Sequence, residues 1–585
     1  MPSPPPEPVR HGGGDAPRPA GHALAGGRRT ADTARTVLFA ARSAVALHRL
    51  LDTLPVFAGD HRITRVFSLV PGSDFSTDAL AALEAAGART VPWSEALGTP
   101  YDLTLAASPK GDLHRLRGPL ALLPHGAGFN KSLPSDGSPR AASGLDAAYL
   151  VRGGTPLAAL HALAHPGQID RLAARSPAAA ARATVVGDPT LDRLLASRGL
   201  RDRYRAALGT GGRRLIALTS TWGPRSLLAR HPGLPARLAR ELPLDEYRLA
   251  LLIHPNAHSD AGHHELTERL APALAAGLTM ASPYEEWASV LVAADAVLCD
   301  HGSTALYAAA LGRPLLSVCD GGAELIPGTP MDRLLAAVPV FDKPHDIADA
   351  IRGHRAERVT EAAAAAFAEQ GNALPRLRAR LYACLDLTPP GTPLAPRLLP
   401  VPRAAAPLPT ACAVRTRVHG TAVSVVRHPA ADDPEDHPGD DGPDAPAGHL
   451  AVEEDAAGAH LAQGAALLFR RARGGPDDAA WTAAGWIDEA FAAYPGRRTV
   501  AAVLAPSLSV LRRRGGPLLA ARTEPYEEAG RIVRPDQAAV LSALHAWLTA
   551  TPDAAAPTTL TCTVGERTYR VQVAEATEEQ ARREL

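Results

Sequence analysis

Apolar residues fall into short continuous runs separated by stretches at helical spacing, and the two kinds alternate from about residue 36 to residue 387. The run V-L-F-A-A from Val37 predicts a buried strand, residues 44–54 an amphipathic helix, and R-V-F-S-L-V from Arg65 a second strand. The alternation continues with a helix over 78–86 and strands over 90–92, 102–107, 120–123, 148–151 and 184–186. The glycines within 209–212 then read as a hinge. A second series follows, with strands from Arg214, over 247–253 and over 278–281, and a helix over 284–293. Next come a strand over 296–299, a polar turn over 300–303, a helix over 304–311 stopped at Gly312, and a strand over 315–318. Residues 338–341 and 347–352 and long helices around Glu361 and Leu377 close it. Strands alternating with helices of this length predict an α/β chain with two Rossmann-like domains facing a cleft, over 34–208 and 213–387.

The pattern breaks at both ends. Residues 1–33 are rich in Pro, Gly and Arg and read as a disordered tail, and 388–410 as an extended Pro-rich linker. Residues 411–585 read as a small C-terminal α+β module, with a hairpin over 413–427, helices over 458–473, 481–494 and 536–549, and a last hairpin over 559–573. Its acidic, Pro/Gly-rich insert over 430–448 reads as disordered.

Charge and composition narrow the classes of function. Lys plus Arg and Asp plus Glu both number 61, with no basic block, so no general nucleic-acid binding is expected. The five cysteines form no C-x-x-C pair, which suits a reduced, cytoplasmic protein. Charges at Asp32, Arg35 and Arg42 interrupt any leader-like apolar segment, and no run is long enough to span a bilayer, so membrane contact would be peripheral. No Walker A loop occurs, nor a G-x-G-x-x-G opening a helix after a strand. His258, His263 and His264 lack a regular ligand spacing, so neither a metal nor a cofactor is expected.

The candidate chemistry lies at strand ends. The turn over 300–303 precedes a helix N-terminus, and with the Ser303 and Thr304 hydroxyls it suits a phosphate; either hydroxyl could equally be a helix cap. His125 ends a buried strand and is followed by Gly126 and Gly128, which let a ligand approach the backbone. It could take a proton from a hydroxyl, or simply hydrogen-bond its own loop. Lys131 could attract phosphate or be a solvated loop charge. His254 could donate to a phosphate or cap its strand.

Taken in order, H-G at His125, G-x-P-x-x-D-x-L at Gly187, T-W at Thr221, H-P at His254 and D-x-x-S at Asp300 resemble the CDP-glycerol glycerophosphotransferases of teichoic-acid synthesis, over about residues 36–387. That resemblance implies the two-domain GT-B fold. It implies transfer of a glycerophosphate or glycosyl group from a nucleotide-diphosphate donor to a hydroxyl acceptor, lipid-linked in some cases, in cell-envelope polymer or glycan synthesis. His125 would be the base on the acceptor, while His254, Gly302, Ser303 and Thr304 would hold the donor diphosphate. Gly126, Lys131, Thr221, Arg225 and Asp300 would be further contacts. The chain departs from the family pattern with H-G-A-G-F-N-K after His125, with T-W-G before Arg225, and with D-H-G-S at Asp300. The skeleton is also similar to nonhydrolysing UDP-GlcNAc 2-epimerases, and a non-catalytic nucleotide- or sugar-binding protein is the other alternative.

Overall fold

The computed structural model describes residues 34–72, 83–84, 86–132, 142, 144–405, 407–430, 447–454, 459–472, 479–553 and 556–585. The expected tail over 1–33, most of the helix expected over 78–86, and the acidic insert but for its edges lie outside the described residues.

The first domain is built on a parallel six-stranded sheet, in the order Ile63–Leu69, Arg35–Ala41, Leu103–Ala106, Leu120–Leu122, Leu160–Leu163, Ala183–Val185. The second has a parallel five-stranded sheet, in the order Thr279–Met280, Tyr247–Ile253, Arg214–Ser220, Ala296–Cys299, Leu315–Ser317. Helices cover both faces of these sheets, so the central strands are continuous apolar runs. Tyr247–Ile253 is buried at every position. In each sheet the strand order reverses once, between Arg35–Ala41 and Leu103–Ala106 and between Arg214–Ser220 and Ala296–Cys299.

The chain passes between the domains twice, away from the glycines at 209–212. Leu191, Leu194 and Tyr204 already belong to the core of the second domain, whereas Leu377, Leu381 and Tyr382 of the helix Ala373–Cys384 belong to that of the first. The two passages touch: Gly187 has φ +92°, and a Cβ there would lie 3.0 Å from the Ala373 Cβ and 3.2 Å from the Glu369 carbonyl oxygen. Asp192 ties them by accepting from the Gly371 and Ala373 amides at 2.6 and 2.7 Å. The expected hinge at 209–212 is therefore displaced to these passages, and the last long helix returns to the first domain.

Other elements also differ from expectation. Residues 147–150 are a helical turn rather than a strand, since the Asp146 carboxylate caps the Ala148 amide at 3.0 Å. The strand Leu160–Leu163 was not anticipated, and residues 338–341 contribute one isolated bridge. The Pro-rich segment is extended but packed. Leu399 is buried, its amide bonds the Ser197 hydroxyl at 2.9 Å, and the Arg397 carbonyl accepts from Arg193 at 2.8 Å.

The last third is a closed nine-stranded barrel rather than a small α+β module. The helix expected over 458–473 splits into the helix Ala459–Gly464 and the barrel strand Leu467–Arg471. Inside the barrel, the helix Gln537–Ala550 is buried from Gln537 to Leu548 and packs against strands around most of the circumference. Its polar groups are matched: Gln537 accepts from the Ser509 hydroxyl at 3.0 Å, and His545 Nδ1 meets the Thr499 hydroxyl at 2.8 Å. Buried Arg427 in a barrel strand bonds Asp245 of the second domain at 2.7 and 2.9 Å and Asp536 at the start of the central helix at 2.9 Å. Among the described residues no helix is long and apolar enough to cross a membrane.

Burial lowers His161 and His545 to about 4. The unfolded chain, with histidines near 6.5, binds protons that the folded chain refuses. Their contribution is complete above about pH 6.5 and is lost as pH falls toward 4, by at most about 1.4 kcal/mol per pH unit per histidine. Denaturant melts from pH 7 to 4.5 should show a shallower slope in the double variant His161→Gln/His545→Gln than in the parent. An unchanged slope would refute this assignment.

Candidate functional site

Parallel sheets bind ligands at their carboxyl edges, where strand order reverses. Here both reversal points open onto one cavity of about 490 Å³ between the domains. Arg42 and Ser43 follow one reversal strand of the first sheet and Ser108 follows the other, while His125 follows the neighbouring strand. Thr221 and Asp300 follow the reversal strands of the second sheet, and His254 follows the strand beside them.

The expected residues converge, with one exception. His125, Gly126, Lys131, Thr221, His254, Asp300, Gly302, Ser303 and Thr304 all line the cavity. A Cβ on Gly126 would sit 3.5 Å from the Ser303 hydroxyl, so the H-G turn of one domain faces the serine turn of the other. Arg225 is not in the lining; it packs against Gly322 instead, whose Cβ would lie 3.0 Å from the guanidinium carbon. Lys131 lines the wall, but its ammonium is committed. It donates to the Trp222 carbonyl at 2.6 Å, pairs with Glu324 at 2.9 Å and lies 4.8 Å over the Trp222 ring.

Asp300 shapes the turn and is fully buried. One carboxylate oxygen accepts from the Thr221 and Leu227 amides at 2.8 and 2.9 Å, the other from the Gly302 amide at 2.9 Å. Burial pushes its pKa up, while His301 and these amides act against that. Gly302 is crowded, since a Cβ there would lie 3.0 Å from both Asp300 Oδ1 and the Thr221 Cβ.

Ser303 is not a cap. Its backbone is already helical, at φ −61° and ψ −14°, and its hydroxyl makes no capping bond, so the helix Thr304–Ala310 begins without spending it. The amides of Ser303 and Thr304 find no acceptor among the described residues. His254 does cap its own helix, accepting at Nδ1 from the Asn256 amide at 3.1 Å. That bond puts the ring proton on Nε2, as a donor. Burial, reinforced by Lys131 and His125, lowers His254 to about 3, so it acts neutral.

Sequence reading missed the support behind His125. Arg49 donates to the His125 carbonyl at 3.2 Å, lies 5.1 Å over the Tyr307 ring and is 3.6 Å from Asp188. The Tyr307 hydroxyl donates to the same Asp188 at 2.8 Å. A smaller cavity of about 100 Å³ adjoins the first, sharing His125, His254, Ser303 and Thr304 with it. There the His48 ring stacks on Tyr284 at 5.4 Å. The available signal for Arg49 and His48 was only their place on an amphipathic helix after a strand.

No protein-family model matches the chain, and no curated protein matches it. Among solved structures, the chain is similar to the wall teichoic acid polymerase TagF, at 14% identity and TM-score 0.43, over 60% of this chain and 89% of the other. It is also similar to a UDP-GlcNAc 2-epimerase from Neisseria meningitidis, solved bound to UDP-GlcNAc (12%, TM-score 0.40, 60% and 99%). A third is Anabaena Alr3699/HepE in complex with UDP and glucose (15%, TM-score 0.38, 60% and 100%).

Replacing Asp300 with Ala leaves three buried amide donors unmet and should destabilise the protein by about 3 kcal/mol or more. Ser303→Ala removes no internal bond and should cost no more than about 0.5 kcal/mol. Denaturant melts compare the two directly; equal losses would mean that Ser303 has a structural partner after all.

Proposed function

We propose that the cleft transfers a glycerophosphate or glycosyl group from a nucleotide-diphosphate donor to a hydroxyl acceptor. One observation carries this reading: His125 on one domain and His254, Ser303 and Thr304 on the other line a single cavity where both sheets reverse. The order of the five motifs, each at a strand end or a domain passage, supports it further.

In this reading the donor diphosphate lies on the Ser303–Thr304 turn, receiving the unspent hydroxyls and amides and the Nε2 proton of His254. These are fixed neutral donors, set in place before charge develops on the leaving nucleotide. His125 accepts the acceptor's hydroxyl proton as its oxygen forms a bond to the transferred phosphorus or anomeric carbon. The bond from that atom to the nucleotide's bridging oxygen breaks, and the nucleotide leaves with the electron pair. Arg49, bonded to the His125 carbonyl, would hold the turn that presents the imidazole. The cell-envelope setting comes from the motif resemblance alone.

Titration calorimetry with CDP and UDP tests the donor half. At least one should bind, and the Ser303→Ala/His254→Ala double variant should lose about tenfold or more in affinity, since a hydrogen bond to a charged group is worth about 1.5–3 kcal/mol. His125→Ala should keep nucleotide binding and lose about 10²-fold or more in transfer. Absence of nucleotide binding, or transfer that survives loss of His125, would end the proposal.

A further inference from the structure

The two turns that face each other across the cavity are also joined behind it. Tyr307 lies four residues after Ser303, so its side chain leaves the helix on the same face, one turn deeper. Its buried ring is held by Trp287 at 5.4 Å and Phe367 at 4.9 Å. The Tyr307 hydroxyl donates to Asp188 Oδ2 at 2.8 Å, while Asp188 Oδ1 accepts from the Leu191 amide at 2.9 Å. Arg49 completes the chain. Its guanidinium lies over the Tyr307 ring, stands 3.6 Å from Asp188 Oδ1 and donates from Nε to the His125 carbonyl at 3.2 Å. A guanidinium shielded from water beside a carboxylate favours a fork to both oxygens. Here the Tyr307 hydroxyl occupies the second oxygen, which leaves Arg49 Nε for the histidine's carbonyl.

Resting on the transfer reading above, we infer that Tyr307 and Asp188 are positioning residues for His125, acting through Arg49. Tyr307 belongs to the helix whose first turn receives the donor, and the His125 carbonyl belongs to the turn that presents the base. The three side chains between them therefore set the separation of base and donor turn. Transfer needs the acceptor oxygen within about 3–3.5 Å of the atom it attacks, so a displacement of about 1 Å at the base turn is felt in the rate. Loss of the Tyr307 hydroxyl frees Asp188 Oδ2 for Arg49, draws the guanidinium off the His125 carbonyl and alters the surroundings of the imidazole. The donor turn keeps its shape meanwhile, because Asp300 holds it from the other side.

The test follows the full chain by NMR with isotope-labelled histidines, the His125 signals being those absent from His125→Gln. In Tyr307→Phe, which keeps the ring and deletes the hydroxyl, the His125 titration midpoint should move by at least about 0.3 pH unit, well within what one altered neighbour produces. Histidines outside the cleft should keep their midpoints. Arg49→Lys keeps the charge beside Asp188 but lacks the fork, so it should shift His125 as well. Because both act on one chain, the double variant should go no further than the larger single shift. Calorimetry with CDP and UDP should give affinities within about threefold of the parent in every variant. An unmoved His125 in either single variant, a shift shared by histidines outside the cleft, or shifts that simply add would overturn the inference. So would a nucleotide affinity reduced about tenfold or more, which would assign Tyr307 to the donor turn. If neither nucleotide binds the parent protein, the transfer reading falls, and the His125 midpoints decide the positioning chain by themselves.

Discussion

The buried carboxylate of Asp300 is the interaction on which the site depends. Three amide bonds from one side chain join two loops that follow neighbouring strands, and they fix the turn in which Ser303 begins a helix with its hydroxyl unspent. A buried charge is tolerable only when its lone pairs are met, and here the partners are backbone groups held rigid by the sheet. The same bonds bring Thr221 so close to Gly302 that a Cβ there would lie 3.0 Å from the Thr221 Cβ. Asp300 therefore holds the turn in place before anything enters the cleft.

Besides the Arg49–Tyr307 contact, two sets of bonds hold one wall against the other. At the back are the paired passages at Gly187 and Glu369, tied by Asp192. At the side, the first-domain loop carrying Asn130 and Lys131 pairs with the second domain. Ser132 donates to the Glu324 carbonyl at 2.8 Å, Ile326 to the Asn130 carbonyl at 2.9 Å, and Lys131 bonds both Trp222 and Glu324. His301, with its ring nitrogen 3.1 Å from the same Glu324 carboxylate, extends this junction to the residue after Asp300. The loop takes a strained route to it: Phe129 has φ +49°, a conformation costly for a bulky side chain. Residues read in the sequence as separate candidates thus divide by what their polar atoms already do. Lys131 and Asp300 hold the cleft together, and Ser303 and the His254 Nε2 proton remain available within it.

Legibility followed the physics of burial. Parallel strands covered on both faces are continuous apolar runs, so Val37–Ala41 within the first sheet and Tyr247–Ile253 in the second could be read directly, and the turns at their ends with them. Leu160–Leu163 escaped because a short L-H-A-L run amid alanines has no period of its own. In the barrel, Thr499–Ala505 is buried at all but its last position, between the central helix and the outer helix Ala483–Ala493. The period-two alternation that marks a half-exposed strand is absent there, and the closed sheet went unseen. The glycines at 209–212 suggested a hinge because glycine is permissive, but a domain passage is set by which core a helix packs in, and Leu191 and Tyr204 decide that only in three dimensions.

The barrel's placement follows from the same directional logic. Its contacts with the second domain fall where strands of the five-stranded sheet begin: Arg214 pairs with Glu566 at 2.8 Å, Gly212 accepts from Arg567, and Leu244 and Asp245 precede Tyr247–Ile253 and bond Arg427. Those are amino ends of strands, and the cavity opens at the carboxyl ends. The barrel is thus fixed at the edge of the sheet opposite the cleft and, among the described residues, supplies none of the cavity lining. Its hold is nonetheless strong in kind, because the buried Arg427 is paired with both Asp245 and Asp536, and loss of Arg427 itself would leave the Asp245 carboxylate without its buried partner. Asp536 also caps the central helix, accepting from the Ala538 amide at 3.2 Å, so the group that docks the barrel on its neighbour also starts the helix that fills the barrel. Docking and barrel packing therefore depend on the same ion pairs, while the shape of the cleft depends on Asp300 and the two passages between the α/β domains.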